Sequence, residues 1–362
     1  MKKNKTLPWL IIAIELLFFI VAFVKPELFG TNREDFNKKF ILFNKNNGEE
    51  LEKIDVRLTL ELEDDGYDVY VPTKKGYRYG PSIIYYEDGT RDVWFASNGN
   101  NREWDWITYR HYDGKAWGSE EVVLRPTKNS LDLYSVCDPG VIYFNDYYYL
   151  GYTSTTNPTG GGIENNIFVC RSKNPNGPFE KWNGESWGGK PSPIITYENN
   201  DSKWGAGEIS FVVKEEELYC YYSWNCSTGN YTKLAKADLV DDWPLTLREK
   251  GIVIYKVNGE DSYDVFYNDD YDRFLAVSVG SRFTDKSYLC IYESKDGKSF
   301  KKANVVEGKI EKYAHNLGVS KKLDGHVDFD DKLIIGYAYS QNNTWAKWST
   351  KMQAASLKLY SE

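Results

Sequence analysis

Histidine and methionine are nearly absent from this chain of 362 residues, with three and two copies, and cysteine occurs five times. No Cys-x-x-Cys pair is present, so the common structural zinc sites are excluded. No long basic stretch occurs. Acidic residues outnumber basic ones by 53 to 45, a net charge of −8, which argues against nucleic acid as a partner. What the chain does have is aromatic side chains, at 16% (29 Tyr, 17 Phe, 12 Trp), together with 29 glycines. Aromatics favour strands and sugar-stacking surfaces and argue against a helical bundle, so the composition leans all-β. The chain is too long for one small domain and suits one large β domain with extras.

Lys2, Lys3 and Lys5 precede an apolar run from Trp9 to Val24, which ends at Lys25 and Pro26. Counted from Leu7 it spans eighteen residues, near the lower limit of about 17–25 for a transmembrane helix. No clean small-x-small cleavage site and no lipid-bearing cysteine follows. The expectation is an uncleaved signal anchor over 1–30, with its basic end cytoplasmic and the body outside the cell. The alternative is a cleaved signal and a secreted body. Residues 31–54 are polar and read as a spacer. A domain over 55–362 follows, opening with an alternating strand pattern over 55–72.

The body then repeats one phrase: a small or acidic opener, a strand, a polar turn and a second, aromatic-rich strand. The copies open at Gly80 (GPSIIYYEDGTRDVWFAS), Asp138 (DPGVIYFNDYYYLGYTS), Glu208 (EISFVVKEEELYCYYSW), Asp264 (DVFYNDDYDRFLAVSV) and His315. They start 58, 70, 56 and 51 residues apart. Third and fourth strands follow, and Asp-Gly pairs at 88–89, 113–114, 296–297 and 324–325 mark hairpins. A four-stranded unit at this period is a β-propeller blade, and five copies predict five blades. The 55–72 strand is expected to pair with the last blade and close the ring. A β-sandwich with long insertions is the alternative, and it leaves the matched phrases unexplained.

Innermost strands of a propeller line a channel, so their openers converge at its mouth. Asp138, Glu208 and Asp264 would then face a common point. Glycosidic cleavage needs such a set: one carboxyl to protonate the leaving oxygen and another to activate water or attack the anomeric carbon. A third carboxylate can raise the acid's pKa by repulsion.

The Asp-Pro opener with its Tyr-rich strand, the Gly-x-Gly-Glu opener in WGAGEISFVV and the phrase SKNPNGPFEKW together resemble the five-bladed glycoside hydrolases over residues 76–355. The closest likeness is to family 43, related to families 32, 62 and 68. The resemblance implies that Glu208 is the general acid and that Asp138 tunes it and holds substrate. The family's base opens the first blade, where this chain has Gly80. Asp105 and Asp264 are the substitutes within reach of the argument. The resemblance also implies a calcium ion or water in the channel, with His315 acting through water; no other cofactor is required. Arg282 resembles an arginine that reaches a sugar hydroxyl or carboxylate.

Arg78, Asp105, Trp106, Trp204, Trp224, Arg282 and Asn316 are therefore candidate substrate contacts, and Trp94 and Trp104 are further candidate platforms. Cys220 and Cys226 are candidates for a disulfide. The expected protein is a monomeric, membrane-anchored hydrolase of polysaccharide or oligosaccharide, with arabinose- or xylose-containing glycans favoured. A non-hydrolytic carbohydrate-binding propeller is the alternative, motivated by Gly80. A sialidase-like enzyme is more distant, on faint Asp-box-like turns.

Overall fold

The computed structural model describes residues 57–72, 76–100, 102–159, 161–340 and 343–360. The expected anchor over 1–30 and the spacer over 31–54 lie outside the described residues. Among the described residues no helix is long and apolar enough to cross a membrane. Leu58–Lys358 forms one compact unit.

Apart from one short 3-10 turn, Trp243–Thr246, its elements are strands. The chain enters through β1 (Arg57–Leu62) and β2 (Tyr67–Tyr70). A first meander comprises β3 (Gly76–Tyr85), β4 (Arg91–Asn98), β5 (Asp105–Tyr112) and β6 (Glu121–Leu124). The next comprises β7 (Cys137–Phe144), β8 (Tyr147–Ser154), β9 (Asn166–Ser172) and β10 (Glu180–Lys181). It is followed by β11 (Gly205–Lys214), β12 (Glu217–Cys226), β13 (Gly229–Asp238) and β14 (Arg248–Tyr255). Then come β15 (Asp264–Asn268), β16 (Arg273–Gly280), β17 (Tyr288–Ser294) and β18 (Lys301–Val306). The chain ends with β19 (His315–Lys321), β20 (His326–Val327), β21 (Leu333–Tyr339) and β22 (Lys347–Tyr360).

Within each meander the strands pair antiparallel in chain order, and β19–β21–β22 is completed by β1. Both β1 and β2 lie against β22, as the alternating pattern of 55–72 predicts. The first strands pack on one another in sequence, β3 on β7, β7 on β11, β11 on β15, β15 on β19 and β19 back on β3. That close approach depends on glycine. A Cβ at Gly140 would fall 1.9 Å from the Ile209 carbonyl oxygen, and one at Gly318 would fall 1.7 Å from that of Pro81.

Between meanders the aromatic strands interdigitate. Trp94, Tyr152 and Phe168 fill one interface, Tyr149, Phe211 and Trp243 another, and Tyr221 and Phe274 a third. Each such side chain contributes about 1.5–3 kcal/mol by leaving water. The five cysteines are buried free thiols. The expected Cys220–Cys226 bridge is absent because both residues sit on β12, and at about 3.3 Å rise per residue a single strand holds them far beyond bonding reach.

Candidate active site

The openings of the first strands surround a narrow central cavity of about 40 Å³, lined by residues that include Gly80, Asp138, Glu208, Asp264 and Asn316. Above it a cleft of about 360 Å³ opens, sharing Asp138, Glu208 and Asn316 as its floor. The floor has a common construction. A bulge interrupts the start of β3, β7, β11 and β19. At each bulge one residue takes positive φ: Gly80 (55°), Asp138 (49°), Glu208 (51°) and Asn316 (43°). For a residue other than glycine this conformation costs of order 1–3 kcal/mol and marks functional sites.

The strand β15 has no such bulge, and Asp261 just before it is buried behind the cleft, bonded to Asn316 and Arg282, which line it. Its Oδ2 accepts the Asn316 N–H at 2.7 Å and its Oδ1 accepts Arg282 Nη1 at 2.5 Å. Burial alone would raise its pKa, but Arg282 and the Asn316 N–H outweigh burial and hold Asp261 below the usual carboxylate range. Asn316 Nδ2 in turn donates to Glu208 Oε1 at 2.8 Å. The Glu208 N–H is fixed on Thr153 Oγ1 at 2.9 Å. Burial, then repulsion from Asp261, raises the Glu208 carboxyl, and Lys256 and Arg282 temper the rise. Asp138 is raised by burial and by the charge of Glu208. Asp138 is thereby pushed well above the ordinary carboxylate range. Lys256, bonded to Ser223 Oγ at 2.6 Å, is lowered by burial to about 8.

Asp105, at the start of β5, also lines the cleft. Its Oδ1 accepts the Tyr77 hydroxyl at 2.5 Å and its Oδ2 accepts Ser135 Oγ at 2.7 Å. Burial raises its pKa despite those donors. The walls are aromatic. Trp104 stacks on Tyr134 with ring centroids 5.0 Å apart. Opposite, Trp348 packs against Tyr77, Tyr79 and His315. Trp345, 72% exposed, stands at the rim against Phe283. Such faces suit sugar rings, which present C–H groups to the π-cloud and hydroxyls to carboxylates.

Several residues expected at the site lie elsewhere. Asp264 faces the narrow cavity, where its Oδ1 takes Lys321 Nζ at 2.6 Å and its Oδ2 the Val319 N–H at 2.7 Å. It lies three positions past Asp261, below the cleft floor, with its charge already compensated. Arg78 forks onto Glu120 and lies over Tyr70, outside the cleft. Trp106 is covered by Arg125, with 3.8 Å between guanidinium and ring centroid, and Trp224 by Tyr197 and Lys233. Trp94 is core. Trp204, Arg282, Asn316 and His315 do line the cleft with Asp105, Asp138 and Glu208. Arg282 is the one arginine lining it among the described residues, so the arginine triad of a sialidase is not assembled there.

The channel residues do not fit calcium. A calcium ion needs six to eight oxygens. Here Lys321 Nζ already takes Asp264, Ser210 Oγ at 3.2 Å and the Val265 carbonyl at 3.2 Å. His315 is not in the channel. It sits in the cleft wall between Phe283 and Trp348, with ring centroids 4.5 and 4.4 Å away, and neither ring nitrogen has a partner among the described residues. Burial lowers it to about 3, so it is a neutral imidazole. Among the described residues no group of three His, Cys, Asp or Glu is arranged to hold a metal.

Sequence reasoning missed Asp261, Lys256, Tyr77, Tyr79, Phe283, Trp345 and Trp348. Tyrosine is too common in this chain to signal a site, and Asp261 sits among several nearby acids. The one usable signal was the pair of tryptophans three apart, Trp345 and Trp348, just before the final strand pattern.

No family profile and no curated protein sequence matches the chain. Solved structures do resemble it. A family 117 glycoside hydrolase of the marine bacterium Zobellia galactanivorans superposes with a TM-score of 0.59 at 17% identity, covering 83% of this chain and 90% of that one. A thermostable family 43 glycoside hydrolase gives 0.58 at 13%, covering 82% and 96%. An α-L-arabinofuranosidase from Podospora anserina, in complex with cellotriose, gives 0.58 at 11%, covering 80% and 95%. At these identities the likeness is one of fold: the chain has the propeller fold of the family 43 type.

Proposed function

We propose that this chain is a five-bladed propeller that hydrolyses a glycosidic bond in a polysaccharide or oligosaccharide, with Glu208 delivering the proton to the leaving oxygen. Burial and the charge of Asp261 favour the protonated form of Glu208, and Asp138 contacts the sugar. Asp261 and Arg282 orient the floor through Asn316. The observation that carries the reading is the pair Asp138 and Glu208, buried on adjacent inner strands in the same left-handed conformation and both raised in pKa. A carboxyl raised above its ordinary pKa is what general-acid catalysis favours. The aromatic walls supply stacking for the ring. Arabinose- and xylose-containing glycans are the favoured substrates, because fold neighbours include an α-L-arabinofuranosidase and an endo-arabinase. The N-terminal apolar run supports a body held outside the cell by residues 1–30.

The test is reducing-sugar release by the full chain in detergent on arabinan, arabinoxylan, xylan and fructan. Release should fall by about 10²–10⁴-fold in Glu208→Gln. Unchanged release in that variant would remove Glu208 from its role.

A second reading, glycan binding without cleavage, is supported by Gly80, where no carboxylate faces the floor. Glycan retention by the wild-type chain, with no product after long incubation, would favour it.

A further inference from the structure

We propose that Asp105 is the base that activates water in this cleft, acting from β5 in place of the carboxylate that β3 lacks at Gly80. The inference rests on the hydrolytic reading above and supplies its missing half.

The first ground is a contrast among buried carboxylates. Asp132 carries Lys181 at 2.5 Å, Glu260 carries Lys302 at 3.1 Å, Asp261 carries Arg282 at 2.5 Å and Asp264 carries Lys321 at 2.6 Å. Asp105 is half-buried, and the groups that hold it are two neutral hydroxyls, Tyr77 and Ser135. A buried carboxylate without a cation is costly to keep, and such groups concentrate where chemistry uses them. The other carboxyls of this kind in the cleft are Asp138 and Glu208, both raised in pKa.

The second ground is placement. Asp105 belongs to the first meander, as Gly80 does, and lines the same cleft as the acid. Tyr77 on one side and Ser135 on the other fix the plane of its carboxylate, one hydrogen bond to each oxygen, leaving a further lone pair on each for water. The Trp104–Tyr134 stack directly beside it gives the sugar ring a face to rest on.

The third ground is elimination. Asp261 is neutralised by Arg282 and lowered in pKa, so it is a weak base. His315, lowered by burial to about 3, is also a weak base. Asp264 is below the floor. Burial raises Asp105 in the direction that makes a carboxylate a better base.

In the step itself, the water oxygen bonds to the anomeric carbon as the glycosidic carbon–oxygen bond breaks. The water proton passes to Asp105, and the Glu208 proton passes to the leaving oxygen. Exchange with solvent resets both groups. The product has inverted anomeric configuration.

The experiment uses the full chain in detergent with phenyl and 2,4-dinitrophenyl glycosides of L-arabinofuranose and D-xylose. Asp105→Ala should lose about 10²–10⁴-fold on both leaving groups. Sodium azide should restore part of that loss and yield a glycosyl azide of inverted configuration. Glu208→Ala should lose its activity on the phenyl glycosides and keep most of it on the dinitrophenyl ones. Asp105→Asn, which keeps the Tyr77 hydrogen bond, should match wild type in thermal midpoint and match Asp105→Ala in rate. Turnover by Asp105→Ala within tenfold of wild type, or a loss confined to the phenyl glycosides, overturns the assignment while leaving hydrolysis standing. Silence of the wild-type chain on every glycoside overturns both the assignment and the hydrolytic reading.

Discussion

Two adjoining cavities share Asp138, Glu208 and Asn316, and each has a carboxyl of its own, Asp264 in the lower and Asp105 in the upper, held in opposite ways. The lower one, about 40 Å³, has room for little more than water, and its Asp264 is locked by Lys321, Ser210 and a backbone amide. The upper one, about 360 Å³, is of the size that small ligands fill, and three of its carboxyls have no paired cation. The difference teaches how to read a buried acid. A cation in contact makes it a fastener between strands, and its absence, beside open volume, makes it a group kept reactive at a cost in stability.

The contrast can be broken most forcefully in the lower cavity. Lys321→Met leaves Asp264 buried and unpaired, and should destabilise the chain by about 3–5 kcal/mol in denaturant unfolding. The double variant Lys321→Met/Asp264→Leu should recover most of that. A Lys321→Met protein of wild-type stability would show that the channel pair fastens nothing.

The upper cavity should respond the other way. Asp138→Asn removes one of two repelling carboxyls and should raise stability at neutral pH while lowering turnover. The pH dependence follows from the raised pKa values of Asp138 and Glu208. Between the unfolded values, near 4, and the raised folded ones, the native state binds more protons than the unfolded state. Stability therefore falls as pH rises through that window, and the fall should flatten in Asp138→Asn. Lys256 works in the opposite sense. Its folded value of about 8 lies below the ordinary 10.5, so its contribution to stability grows as pH rises between the two. A pH profile of the same slope in Asp138→Asn as in the wild type would contradict a raised pKa at Asp138.

The smallest effect is expected at the rim. Trp345→Ala removes an exposed ring and should leave stability within about 0.5 kcal/mol. KM should rise three- to tenfold, equivalent to roughly 0.5–1.5 kcal/mol of stacking. An unchanged KM would confine ligand contact to the deeper walls.

Most of the architecture was legible because local patterns carried it. Aromatic alternation marked the strands, and Asp-Gly pairs fall between β3 and β4 and between β17 and β18. Asp138 and Glu208 were legible because each immediately precedes its alternating run. The fourth repeat does open at the first residue of β15, but that strand begins without a bulge and its Asp264 is bonded to Lys321. The fifth was one residue early. His315 and Asn316 are neighbours, and adjacent residues at a strand opening face different ways, so the imidazole joins the cleft wall while the amide reaches Glu208. The aromatic wall was illegible because Tyr77 and Tyr79 meet Trp348 only through pairing of the first and last meanders.

That pairing also sets the order of events during synthesis. Asp64 accepts the Ala354 amide across 290 residues of chain, and Tyr77 lies opposite Trp348 in a parallel bridge. An emerging polypeptide must hold β1, β2 and β3 as open edges until its final strand arrives, a topology of high contact order that folds slowly. Until then the cleft has only part of its wall. The complete cleft wall is thus a property of the closed ring, acquired in one late event rather than strand by strand.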